Sequence, residues 1–80
     1  MKSKLYMAKS TITGWPSVEA LEPDSQILAD DLFVTTGITA EDSTGWKMVQ
    51  VLTPKAGMRW VILSSLEENG QPVPIEDVES

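Results

Sequence analysis

Apolar positions are densest between Trp46 and Leu63, where two runs alternate with the two-residue period of a β-strand on either side of one turn signal. In the first run Trp46, Met48, Gln50 and Leu52 share one face and Lys47, Val49 and Val51 the other. In the second, Met58, Trp60 and Ile62 alternate with Arg59, Val61 and Leu63. Thr53-Pro54-Lys55-Ala56-Gly57 joins them: proline presets the dihedral of a tight turn, and glycine can adopt the left-handed conformation that closes it. The pattern predicts a hairpin with apolar residues on both faces, hence near the middle of a small sheet or barrel, with Trp60 in the core and Trp46 at the strand opening.

Around this unit the pattern predicts shorter pieces. Lys4 to Thr13 reads as a first strand, broken by Gly14-Trp15-Pro16, after which Ser17 to Leu21 forms at most a turn or two of helix before Pro23. Trp15 is expected to pack on the sheet. Asp24 to Asp31 reads as a turn or extended lead-in, Leu32 to Thr36 as a strand ending at Gly37, and Ile38 to Thr44 as a polar loop. Ser64-Ser65-Leu66 is expected either to form a 3₁₀ turn or to prolong the second hairpin arm. Asn69-Gly70 is the favoured dipeptide of a two-residue type I′ turn, which predicts that Gln71 to Val78 folds back as a last strand. Pro72 and Pro74 are two apart, so their missing N–H groups fall on one side of that strand, as suits an edge. The alternative is a polyproline-like acidic tail. The expectation is therefore one domain, residues 1–80, mainly β: a small five-stranded barrel or twisted antiparallel sheet with at most one short helical turn, and 69–80 as edge strand or tail.

The order of these features from Asp30 to Glu67 resembles an SH3-like small β-barrel. DDLFVTTG is similar to its acidic strand-then-glycine stretch, DSTGWKMVQV to its acidic loop leading to Gly-Trp, and MRWVILSSLEE to its last long strand and helical turn. The resemblance implies a binding module with Trp46 in its aromatic groove. Only Ile38 to Glu41 separates Gly37 from Asp42, shorter than the strand such domains carry there. No proline precedes Ser64-Ser65, which argues against recognition of proline-rich peptides.

Composition narrows the chemistry. The chain has 80 residues, and one so short buries only about 60% of the surface its unfolded form exposes. It contains no cysteine and no histidine, which removes disulfides, thiolate metal sites, the commonest general base and the commonest transition-metal ligand together. The paired acids Asp30-Asp31, Glu41-Asp42, Glu67-Glu68 and Glu76-Asp77 lack calcium-loop spacing, and neighbours in sequence point apart on a strand. We therefore expect no enzyme, no cofactor and no metal. The first residues lack the apolar run of a signal peptide and no segment is long enough to span a bilayer, so a soluble cytoplasmic protein without membrane contact is expected.

The net charge of −6 is segregated: Lys2, Lys4 and Lys9 lead, seven acids follow up to Trp46, Lys47, Lys55 and Arg59 come next, and five acids close the chain. That balance disfavours broad binding to nucleic-acid phosphates, although Lys47, Val49, Val51, Arg59 and Lys55 form a candidate basic patch beside tryptophan. The leading functional expectation is a non-catalytic interaction module that presents an acidic, tryptophan-containing surface to a protein partner through Trp46, Lys47, Lys55, Arg59, Glu41 and Asp42. Homo-oligomerisation through an edge strand is a natural extension for so small a core. The alternative is a small acidic inhibitor, of the kind mobile elements encode, that mimics nucleic acid or blocks a nucleic-acid-binding host protein.

Overall fold

The central hairpin anchors the architecture in a computed structural model that describes residues 3–74. Strand β5 (Lys47–Thr53) and strand β6 (Gly57–Ile62) pair antiparallel from Met48↔Ile62 to Thr53↔Gly57. Gly57 closes the turn at φ 75°, and the buried Thr53 hydroxyl accepts from Ala56 N at 2.9 Å and donates to Gly57 O at 3.0 Å. Alternation sends Val49, Val51 and Val61 into the core, while Leu52 and Met58 lie on the outer face, 47% and 49% exposed. Trp60 is opposite Gln50 on that outer face and is half-buried, outside the core where apolar neighbours had placed it.

The other strands are β1 (Lys4–Ala8), β2 (Ile12–Gly14), β3 (Ser25–Ile27), β4 (Leu32–Glu41) and β7 (Gly70–Pro72), with helix α1 (Leu63–Asn69) between β6 and β7. They form a five-stranded antiparallel sheet in the order β6-β5-β4-β1-β7 and a separate two-stranded sheet, β2-β3. The described residues are thus mainly β with one short helix. Strand β6 ends the hydrogen-bonded order instead of lying centrally, and its outer edge is met at one position by Trp15, which exchanges two backbone hydrogen bonds with Trp60, each 2.8 Å.

Three local predictions are corrected by packing. The segment read as one strand to Thr13 breaks after Ala8. Lys9 N donates to Asn69 O at 2.6 Å, and the chain then turns so that Ile12 can sit opposite Ile27, both buried over the open side of the core. Strand β4 does not stop at Gly37 but runs on to Glu41, so Ile38–Glu41 is strand and not loop. Its register with β5 shifts between Thr35 and Thr39, with Gly37 at φ 88° and the Thr36 hydroxyl bonded to the Gln50 side chain at 3.1 Å; this bulge bends β4 so that it serves both halves of the sheet. Asn69-Gly70 is no hairpin turn either. Burial of Leu66 favours an α-helix through Ser64-Ser65, Asn69 is its last residue, and Gly70 starts β7 in an extended conformation, pairing with β1 across the molecule.

Strand β7 ends the sheet. Lys9 N to Asn69 O and Val73 N to Leu5 O set the alternation, so the backbone groups of 70, 72 and 74 point away from β1. The Gly70 N–H bonds Leu66 O, and Pro72 and Pro74 have none, so this edge offers no donor over the described residues. The remainder of the predicted last strand, 75–78 with Ile75 and the Glu76-Asp77 pair, lies outside the described residues.

The core comprises Ala8, Ile12, Ile27, Phe33, Val49, Val51, Val61 and Leu66, with Tyr6 stacked on Phe33 at a centroid distance of 5.7 Å. Among the described residues no helix is long and apolar enough to cross a membrane.

Candidate functional site

Two loops converge beside the β5–β6 hairpin. The first, after β2, carries Trp15 out through Pro16 and turns at Ser17, where Ala20 N donates to Ser17 O at 3.2 Å. The second joins β4 to β5 and is organised by one carboxylate. Asp42 Oδ1 accepts from Thr44 Oγ1 at 2.7 Å, Thr44 N at 2.9 Å and Trp46 N at 3.0 Å, and the Asp42 N–H donates to Trp46 O at 3.0 Å. The Thr44 hydroxyl, aided by backbone N–H groups of Trp46, Thr44 and Gly45, holds the Asp42 carboxyl below its ordinary value, so it remains ionised. Among the described residues Oδ2 takes no hydrogen bond.

Between the loops lies a groove of about 270 Å³. Trp15 and Trp46 stand on it, Met48 and Ile62 form its apolar lining, and Glu19 and Asp42 supply its charge. Among the described residues no lysine or arginine lines it. Trp46 is 56% exposed and Leu21, on the first loop, 96% exposed, while Met48 beneath is buried. Such a groove is smaller than the roughly 300–1,000 Å³ of a drug-sized ligand site and suits a single side chain.

The structure brings four of the six predicted site residues together. Glu41 is opposite Lys47 across β4 and β5, and Asp42 and Trp46 close the adjoining loop. The other two lie elsewhere. Lys55 is at the far hairpin tip, roughly 20 Å along β5 at a strand's rise per residue, with Nζ 3.8 Å from Asp31 Oδ2. Arg59 Nε bonds Asp24 Oδ1 at 2.9 Å, and Nη1 donates to Met58 O at 2.7 Å. The basic patch expected along Lys47, Val49, Val51, Arg59 and Lys55 is therefore not one surface, because Val49 and Val51 are buried and both Lys55 and Arg59 are engaged by acids.

Sequence reasoning missed Trp15, Glu19 and Ile62 as groove residues. The one local hint was an aromatic residue between a glycine and a proline; its meeting with Trp46 depends on the Trp15–Trp60 bridge, which no local pattern encodes. Among the described residues no cluster of three His, Cys, Asp or Glu side chains is arranged to hold a metal.

Fold and site together define a small β-domain with an acid-flanked aromatic groove on its surface. No family model matches the chain, and no curated protein or solved structure does either.

Proposed function

We propose that this chain is a non-catalytic protein-binding module, SH3-like in plan, whose groove receives a cationic side chain from a partner protein. The observation that carries this reading is the pairing of two tryptophans with two carboxylates, Glu19 and Asp42, in a groove that no basic residue lines among the described residues. A lysine or arginine over an exposed tryptophan face gains about 0.5–1 kcal/mol from cation–π attraction, and more when water is excluded. A charge-assisted hydrogen bond to Asp42 Oδ2 would add to this and fix orientation. The strand order, with the β2–β3 excursion inserted between the first two strands of the sheet and a short helix before the last, supports the SH3-like relation.

The test compares an arginine-containing peptide with its citrulline counterpart by tryptophan fluorescence and calorimetry. The expected result is preference for arginine and a loss of about tenfold or more on Trp46→Ala, the behaviour of an exposed aromatic anchor whose removal leaves the fold intact. Equal binding of both peptides sinks the reading. The acidic-inhibitor alternative predicts a different pattern, in which binding to a nucleic-acid-binding protein collapses with salt and ignores Trp46→Ala.

A further inference from the structure

The outer face of the five-stranded sheet carries a second feature that the groove does not use. Following the register from strand to strand, Leu5 is opposite Val34, Val34 opposite Leu52, and Leu52 opposite Met58. The hydrogen bond from Val73 N to Leu5 O extends the row to the chain after β7. Five apolar side chains thus cross the whole sheet on one face. Leu32, 46% exposed, flanks them two residues from Val34 on β4, and a shallow depression of about 340 Å³ opens at this point. Among the described residues its lining contains no charged side chain and shares none with the tryptophan groove.

From this row we infer a self-association site: two copies of the chain meet face to face across Leu5, Val34 and Leu52. Three observations favour a second copy as the occupant. First, charge: the chain carries −6, so two copies repel over most of their surfaces, yet the described residues that line this depression carry no charge. The charged residues next to it in sequence are three bases, Lys4, Lys55 and Arg59, against one acid, Asp31, which pairs with Lys55, while Arg59 pairs with Asp24. Second, pairing by strand addition is restricted, because the outer edge of β7 offers no donor over the described residues and Trp15 occupies β6 at Trp60. Third, the row is self-complementary. A two-fold axis in the contact plane at its middle residue, Val34, sets Leu5 of each copy against Leu52 of the other, as an isologous dimer requires.

The size of the patch sets the strength. The half-exposed Leu32, Leu52 and Met58 with the half-buried Leu5 and Val34 offer on the order of 300 Å² of apolar surface per copy, against about 800 Å² per partner in a standard interface. The dimer is accordingly weak and reversible. Since the grooves lie outside the contact, each dimer presents two of them, and a partner with two cationic segments would be held by avidity.

Sedimentation equilibrium of the full chain from about 10 μM to 1 mM tests this. The expected weight-average mass starts at 8.8 kDa and rises toward twice that value, more steeply in added salt, which screens the acidic repulsion without weakening an apolar contact. Leu52→Lys, and separately Met58→Lys, should hold the mass at 8.8 kDa throughout, with far-UV circular dichroism unchanged because both residues are about half exposed. Leu21→Lys, in the groove, should associate like the parent chain. A parent chain that stays at 8.8 kDa at 1 mM overturns the inference, as does association that survives both row variants or is abolished by Leu21→Lys.

Discussion

Gly70 is a position where a single added methyl group tests the packing of the whole helix-to-strand junction. Its backbone is extended, φ −108°, so any residue could adopt its conformation and dihedral strain is not the issue. Space is. A Cβ at Gly70 would stand 2.7 Å from Leu66 O, 2.8 Å from Leu66 Cδ1 and 3.3 Å from Tyr6 Cδ2. The leucine methyl can rotate away, but the carbonyl oxygen cannot, since it belongs to the helix and accepts the Gly70 N–H. Relief requires the end of α1 or the start of β7 to move, and behind them stand the buried Leu66 and the Tyr6–Phe33 stack. Overpacking of this kind costs about 1–3 kcal/mol, and loss of unfolded-chain entropy on Gly→Ala returns about 0.4–1 kcal/mol, leaving a net destabilisation of about 1–2 kcal/mol. In a domain of this size each kcal/mol moves Tm by about 4–8 °C, so Gly70→Ala should melt roughly 5–15 °C below the parent chain by circular dichroism. Gly70→Asn supplies the decisive comparison. If steric room is what matters, the larger Asn is worse than Ala; if Asn69-Gly70 formed a type I′ turn, Asn would be the milder change, because it tolerates positive φ. An unchanged Tm for Gly70→Ala, or an Asn variant more stable than the Ala variant, refutes the reasoning.

Two further outcomes follow from the core and the loop. Phe33 is 1% exposed and the largest fully buried side chain, so Phe33→Ala should cost about 3–5 kcal/mol, most of the stability of a domain this small, whereas Phe33→Leu should still unfold cooperatively in urea. The lowered pKa of Asp42 means that its ionised form stabilises the folded loop above the ordinary carboxylate range, and that this contribution disappears as pH falls through the lowered value. Trp46 emission should therefore change in acid in the parent chain and stay flat in Asp42→Asn, which keeps the Oδ1 acceptor without the charge; the same acid transition in both would exclude Asp42 as its source.

Signals confined to a few residues were legible in the chain itself. The β5–β6 hairpin follows from two alternating runs and a Pro-to-Gly turn, all within Trp46 to Leu63, and it needs no distant partner to be recognised. Acidity, the absence of histidine and cysteine, and the mainly β character were equally local or compositional. Within the candidate site, the Glu41-Asp42 to Trp46-Lys47 cluster was visible because the loop joining it is short. The rest was not, since its determinants are far apart in the chain.

Tertiary structure alone decided whether Gly37 ends a strand or bends one, because the answer lies in pairing with Gln50 on β5. It overrode the turn propensity of Asn69-Gly70 by burying Leu66, and it dispersed an apparent basic patch by setting Asp24 and Asp31 against Arg59 and Lys55. It also placed Trp15 beside Trp46 to make the groove. The physical reason is the same in each case: local propensities amount to about 1 kcal/mol or less per residue, while burying one large apolar side chain is worth about 1.5–3 kcal/mol, so the long-range contacts choose among the alternatives that the local sequence leaves open.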